Sequence, residues 1–391
     1  MDNKKDCFGY YQDGNLFFDK PPQDMGVTWK HSETLCTGVY DYCSVLARSD
    51  SIGDVCPPEL STEWQKVDSK MRAFHRSFLT SGISLEEHCF FDMVPQQFLL
   101  DYFSIREGIM KGVWETTEKT SNFRFDCELH EMLSEISRAK VKINYGFLDN
   151  NRHKLKIRNL IKKLKKTVPF VKYKQFSTVT GRLTVTPSSF PVMTLDKEVR
   201  DVVLPDNDWI LELDYNAAEL RVFLGLSGHS QPEGDLHKWN STFLKMDRQH
   251  AKRSVIAYMY GGKSLESGEL EKLYNVNIVK EKHYNQERQE VKNPFGRTIK
   301  SDEFHAVNYT IQSTAAETVF RNMLKIHNLL KERKSSVKFC LHDSIILDFS
   351  DDDRDLLSEI KEIFGQTPFG IFPTKISGGR SFGQLKEMKF D

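Results

Sequence analysis

The sequence predicts an α+β chain, and three observations carry that expectation. Residues 209–228, WILELDYNAAELRVFLGLSG, pass from a strand pattern directly into a helical one. Residues 336–349, SVKFCLHDSIILDF, alternate in the manner of a hairpin, with Val337, Phe339 and Leu341 on one face going up and Ile345, Leu347 and Phe349 on one face coming down. Around them lie stretches with helical spacing of apolar residues, among them 126–167, 248–260 and 308–326.

With 391 residues the chain has room for two or three packed subdomains. Its composition, 39% hydrophobic and 28% charged, is that of a water-soluble globular protein, and no apolar run approaches the span of a bilayer, so no membrane partner is expected. The first 14 residues, MDNKKDCFGYYQDG, lack the apolar core of a secretory leader and the Arg/Ser-rich look of a transit peptide. A cytoplasmic, non-secreted protein is the expectation. The seven cysteines (Cys7, Cys36, Cys43, Cys56, Cys89, Cys127 and Cys340) make no C-x-x-C pair, which fits reduced thiols. Cys36, Cys43 and Cys56 with His31 fit no zinc spacing.

Net charge is zero, but the charges are segregated. From Arg138 to Lys174 there are ten Lys and three Arg against the single acid Asp149, while acids gather in DFSDDDRD, 348–355. Such a basic stretch is an electrostatic footprint that the whole-chain sum conceals.

In chain order, residues 1 to about 95 are the least informative, with helical stretches expected at 61–79 and 95–118 and a role left unassigned. Asp126-Cys127-Glu128 reads as an exposed helical acid pair; too little chain follows it for a two-metal exonuclease, and none is expected. Next, Leu155, Ile157, Leu160, Ile161 and Leu164 form an apolar stripe flanked by Lys162, Lys163, Lys165 and Lys166. A basic amphipathic helix of this kind can meet a membrane, a partner helix, a phosphate backbone or only solvent. FSTVTGRLTVTPSSFP, 176–191, suggests an extended hairpin with Arg182 at its tip.

Residues 209–228 then place Asp214 and Tyr215 at a strand-to-helix switch. Asn216 is the expected N-cap, Glu219 lies on the first helical turn, and Gly228 closes the helix. A carboxylate on a rigid strand end can hold a metal ion, although a plain turn acid has the same appearance. GDLHKW, 234–239, follows. In RQHAKRSVIAYMYGG, 248–262, Arg248, Lys252, Ile256 and Tyr260 recur every fourth residue. Two cations followed by an apolar and an aromatic residue suit a triphosphate with its sugar and base. NPFGRT, 293–298, reads as a turn before a strand, and NYTIQSTAAETVFRNMLKI, 308–326, as a helix presenting Asn308, Gln312 and Thr314 near one end. His342-Asp343 falls at the tip of the 336–349 hairpin. If Asp343 meets Asp214, the two can bind a pair of Mg²⁺ ions for in-line phosphoryl transfer.

These residues, in this order, resemble the family A (polymerase I-like) DNA polymerases. DYNAAELR (214–221) is similar to the family's motif A, RQHAKRSVIAYMYG (248–261) to motif B, and LHDSIILDF (341–349) to motif C. VTGRLT (179–184) is similar to the preceding primer-contacting turn, and FPTKISGGRSFGQLK (372–386) to the closing strand. The resemblance covers about 125–391. It implies a right-hand polymerase fold: an antiparallel-sheet palm (171–228 and 301–391), helical fingers (229–300) and a helical basic thumb (125–170). A small N-terminal α/β module (1–124) precedes them.

For function it implies a primer-dependent DNA polymerase of compact phage type, without an exonuclease domain. Asp214, Asp343 and the carbonyl of Tyr215 are implied ligands of two Mg²⁺ ions, for which Mn²⁺ can substitute. His237, Arg248 and Lys252 are implied on the dNTP phosphates, with Lys252 also a proton donor to the leaving pyrophosphate. Ile256 and Tyr260 are implied near the sugar and base, and Glu219 beneath the 2′-carbon. Arg182, Arg297, Asn308, Gln312 and His342 are implied at primer-template DNA, as are Lys162, Lys163, Lys165 and Lys166 on its backbone. A separate exonuclease or processivity protein is a compatible partner.

Two departures, Ile256 for the family's aromatic and Ser344 for its usual Glu, resemble single-subunit phage RNA polymerases instead. RNA synthesis or priming, or an inactive DNA-binding subunit, are therefore the alternatives. Glu219 favours DNA synthesis.

Overall fold

The computed structural model describes residues 9–12, 15–17, 28–29, 42–85, 87–262 and 265–388. Cys7, His31, Cys36 and most of the N-terminal stretch read for a leader lie outside the described residues. The chain forms two compact units that divide between Lys119 and Thr120, five residues before the boundary expected from the resemblance.

In the first unit, short antiparallel strands at Gly9–Gln12, Asn15–Phe17 and Thr28–Trp29 make one small sheet. Two long helices dominate the rest, α1 (Pro58–Thr80) and α2 (Gln96–Thr116), close to the two stretches read from periodicity. Each follows a proline whose fixed φ suits a helix start. Their shared core is aromatic: Trp64 lies 5.4 Å from Tyr102, and Phe74 lies 5.3 Å from Phe98, ring centre to ring centre.

The second unit begins with α3 (Phe123–Arg138), whose Phe125, Leu129, Met132, Leu133 and Ile136 are buried at helical spacing. The basic helix α4 (Leu155–Leu164) buries Ile157 and Leu160 and leaves its lysines outside. The expected hairpin of 176–191 is present but shifted. Its ladder pairs β1 (Tyr173–Lys174) with β2 (Thr184–Val185), and 176–180 bends between them. Gly181, at φ +76°, permits that bend.

At the centre is a five-stranded antiparallel sheet. It is built from β3 (Trp209–Tyr215), β4 (Ser336–Leu341), β5 (Ser344–Phe349), β6 (Thr374–Gly379) and β7 (Lys386–Glu387), in the order β4-β5-β3-β6-β7. Strand β3 continues into α5 (Ala218–Leu226). Asn216 does not cap that helix. Ala217, in the left-handed region at φ 59°, takes the N-cap position without a side-chain bond, while Asn216 Oδ1 accepts from the N–H of Leu236 at 2.9 Å. The helices α6 (Leu236–Leu244) and α7 (Arg248–Met259) follow, then α8 (Glu303–Leu330) and α9 (Leu357–Gly365).

Side chains alternate along β3, so Leu211, Leu213 and Tyr215 share one face and Glu212 and Asp214 the other. The first face is core. Tyr215 stacks on Phe364 of α9 with ring centres 4.1 Å apart, and its hydroxyl donates to the Phe364 carbonyl and accepts from Asn322 of α8 at 3.0 Å. Burial carries the Tyr215 phenol well above its usual range. Asp214 is thereby left on the opposite, open face.

Two buried ion clusters brace this unit. Lys338, at a bulge in β4, donates to Asp348 at 2.7 Å and Asp206 at 2.8 Å. Burial alone would raise the Asp348 carboxyl, but Lys338 and the N–H groups of Asp206 and Asn207 outweigh it and hold it below the usual carboxylate range. The second cluster overturns the reading of Asp126 as exposed. Asp126 is 1% exposed and meets Arg297 at 3.3 Å, while Arg297 also pairs with Glu317 of α8. Asn122 donates to Glu317 at 3.2 Å. The start of α3, the turn at 293–297 and the middle of α8 thus share one set of buried charges. Removing one member of such a cluster leaves an uncompensated charge, which costs more than the pair contributes. Glu317→Ala is expected to destabilise this unit by about 3 kcal/mol, the low end for a broken buried pair because Asp126 still faces Arg297. Urea unfolding of the full chain followed through the central sheet measures it.

Candidate active site

The antiparallel register of β5 on β3 sets Ser344 opposite Asp214. Asp343, one residue before Ser344 at the hairpin tip, therefore lies beside Asp214, with His342 at φ 55° making the tight turn. Both acids are raised, and the Asp343 charge contributes to the rise at Asp214. Asp214 is pushed up from 3.8 to about 6, first by the protein walls that withhold its hydration, although part of the residue is open to solvent, and then by the charges of Glu212 and Asp343. Burial likewise raises Asp343, against the opposing pull of Arg182 and His342. Lys375, paired with Asp214 across β6, and Lys197 stabilise the Asp214 anion.

Asp214, whose ionisation burial and the neighbouring Glu212 and Asp343 charges oppose, forms with Asp343 an anionic pocket that a hard divalent cation would relieve. Among the described residues no three His, Cys, Asp or Glu side chains converge as a metal cage. A cation held here takes further oxygens from backbone carbonyls, water or a phosphate ligand, which is the usual arrangement for Mg²⁺. The donor set fits. Tyr215 can contribute only its carbonyl, since its side chain is committed to the core.

The cations expected at a triphosphate lie together. On α7 the buried residues are Ala251, Val255 and Met259, so Arg248, Lys252, Ile256 and Tyr260 run beside the buried edge, as their spacing predicts. Asp235 caps α6 by accepting from the His237 N–H at 2.9 Å and holds Arg248 at 2.7 Å. His237 is 9% exposed, and among the described residues nothing pairs with its buried Nδ1. Burial, and next the Lys252 charge, lower its pKa and keep the ring neutral at physiological pH.

Arg221 was not singled out from the sequence, and it is the side chain that ties these parts together. Fully buried, it donates to the carbonyls of Asn216 at 2.8 Å, Pro232 at 3.0 Å and Gly234 at 2.6 Å. Burial lowers it to about 10. It thereby anchors the loop leading to His237 onto the strand end that bears Asp214. A charged residue within the apolar run LRVFLGL was the available signal.

The other expected residues are distributed as follows. Arg182 reaches Glu219 on the first turn of α5 and forms an ion pair with it. The Tyr260 hydroxyl accepts from Gln312 at 3.4 Å. Asn308 is half-buried, with Oδ1 shielded and unpaired among the described residues. Lys162, Lys163, Lys165 and Lys166 are exposed, the last two beyond the end of α4, and Lys163 bonds Thr194 at 2.7 Å. Arg297 departs from expectation: at 6% exposure its guanidinium is spent on Asp126 and Glu317, so its charge is internal and not offered to DNA.

No protein-family model matches this sequence, and no curated protein matches it. A solved structure does: the POL domain of Pol1 from M. smegmatis, in complex with DNA primer-template and dNTP. It has a TM-score of 0.58 and 12% identity, covering 73% of this chain and 76% of that chain. At that identity the likeness is one of fold, and the chain has the fold of a polymerase domain.

The Arg221 bonds lead to a direct expectation. Arg221→Met leaves three buried carbonyls without their donor and should cost about 3 kcal/mol or more. Hydrogen exchange should accelerate at 231–237 before it does so in β3 and β5; unchanged protection there would remove the anchoring role.

Proposed function

We propose that this chain is a template-directed, primer-dependent DNA polymerase that adds dNTPs to a primer 3′-hydroxyl. The observation that carries this reading is the placement of Asp214 and Asp343 side by side by the β3–β5 register, in a fold shared with a polymerase domain. In this reading the central sheet is the palm, 229–300 the fingers and the basic segment around α4 the thumb.

Asp214 and Asp343, with the Tyr215 carbonyl, would hold two Mg²⁺ or Mn²⁺ ions. When bound, such ions neutralise and polarise the transferring phosphoryl group. The chain's own residues then position the reactants. Arg248 and His237 bind the outer phosphates, with His237 using the hydrogen-bonding capacity left on its ring. Lys252 sits at the α-phosphate side and supplies a proton toward the leaving pyrophosphate. Ile256 and Tyr260 line the sugar and base, and Glu219 lies under the 2′-carbon. Gln312, Asn308, His342 and Arg182 face the primer end and the minor groove, where acceptors are common to all base pairs. Lys162, Lys163, Lys165 and Lys166 neutralise duplex phosphates, a sequence-independent and salt-sensitive contact.

RNA synthesis is the second reading, favoured by Ile256 and Ser344; Glu219 weighs against it. Primer extension with dNTPs and rNTPs separates the two, and a clear preference for rNTPs would sink the first. Asp343→Ala should abolish extension with either nucleotide, whereas Glu219→Ala should raise ribonucleotide incorporation and retain dNTP use.

The pH profile follows from Asp214. Its carboxyl sits at about 6 and must lose its proton to hold a cation, so extension should fall as pH drops through 6 and be complete above it. Cation binding competes with that proton, so higher Mg²⁺ should move the midpoint to lower pH. A midpoint independent of Mg²⁺ would detach the profile from this pair.

A further inference from the structure

The turn bearing Arg182 is held on both sides. The Gly181 N–H donates to the Thr178 carbonyl at 3.2 Å, and Thr178 Oγ1 donates to the Arg182 carbonyl at 2.8 Å. Beneath it lies the Arg297 guanidinium. A β-carbon on Gly181 would stand 3.0 Å from Arg297 Cζ and 3.1 Å from Nε and Nη1, and the positive φ of Gly181 disfavours a side chain as well. Arg297 itself cannot yield, because Asp126 and Glu317 fix it. The turn therefore has one seat, and that seat directs Arg182.

Arg182 extends from this turn to Glu219. The Glu219 side chain is 15% exposed and that of Arg182 43%, so the pair lies at the rim of the site with the carboxylate on the inner side. Arg182 is also near enough to Asp343 to favour its anion. The group that faces Glu219 is thus the Arg182 guanidinium. A carboxylate held in an ion pair on the covered side of the site loses rotamer freedom and keeps a fixed outline.

We propose that Arg182 is a specificity-determining residue. By holding Glu219 in one rotamer it sets the wall met by the 2′ position of the incoming sugar, and Arg297 is the positioning residue that acts through Gly181. This rests on the polymerase reading, and it separates Arg182 from a residue that contacts only the primer. A primer contact alone lowers kcat/KM for dNTP and rNTP together and leaves their ratio unchanged. A grip on Glu219 changes the ratio.

The test is a double-mutant cycle in the full-length chain, read as the ratio of kcat/KM for dNTP to that for the matching rNTP on one primer-template. Arg182→Gln and Glu219→Gln should each lower the ratio, by about tenfold or more, since the wall both define discriminates between two sugars that differ by one hydroxyl. The double variant should be no worse than the more affected single. Arg182→Lys, which keeps the charge without the fork, should restore part of the ratio. Gly181→Ala, which pushes a methyl at Arg297, should lower the ratio in the same direction, with thermal unfolding recorded beside it. An Arg182→Gln enzyme that is slower with both nucleotides at an unchanged ratio would overturn the proposal and leave the polymerase reading intact. A wild-type chain that extends no primer would overturn both.

Discussion

Everything at the site depends on one strand pairing, β5 on β3. Antiparallel pairing fixes which residues face each other, and a slip by one residue would send every side chain to the other face. Here the register is protected from several directions. Tyr215 is locked by Phe364 and Asn322 on the covered face, and Lys338 binds Asp348 of β5 to Asp206 just ahead of β3. With Ser344 opposite Asp214, the tip residue Asp343 has only one place to go. The backbone keeps the two acids side by side; burial raises both carboxyls, and the Glu212 and Asp343 charges add to the rise at Asp214.

The buried arginines solve a different problem. Arg221 spends its donors on carbonyls, joining a helix to a loop, so its charge serves the geometry of the backbone. Arg297 spends its donors on carboxylates from two helices, and its flat face becomes the floor under Gly181. Both are buried, yet each sets the position of another side chain: Arg221 that of His237, and Arg297 the turn of Arg182. Precision in the exposed side chains is inherited from these covered ones.

What was legible in the sequence was periodicity and its breaks. The passage from strand to helix at 209–228, the hairpin tip at His342-Asp343 and the fourfold recurrence from Arg248 to Tyr260 each declare a face, because spacing of 2.0 or 3.6 residues is a local property. The partners of charged residues are not local. Asp126 reads as exposed because nothing within its own helix says that Arg297, 171 residues on, will cover it. Arg297 reads as a free cation for the same reason. Asn216 looks like an N-cap because its type is right, but the carboxamide is drawn away to the Leu236 N–H, and Ala217 is left to turn the chain in the left-handed region. The hairpin expected over 176–191 is displaced, with its first strand at Tyr173–Lys174 and 176–180 bent, because the bend depends on how Gly181 seats on a side chain from elsewhere.

A net charge of zero hides how the charges are arranged. The acids of the site stand on rigid strand ends with little room to move apart, while the cations of α7 stand on an exposed helical edge, with Arg248 anchored to Asp235. Fixed anions attract mobile cations, and an exposed cationic row attracts phosphates, so the two halves suit the two ends of one metal–triphosphate ligand. Arg182 stands among the acids, as Lys375 and Lys197 do at Asp214. It faces Glu219 directly and Asp343 at longer range, so whatever draws its guanidinium away changes the fields at both. Displacing that guanidinium would therefore both free the Glu219 carboxylate and raise the Asp343 carboxyl.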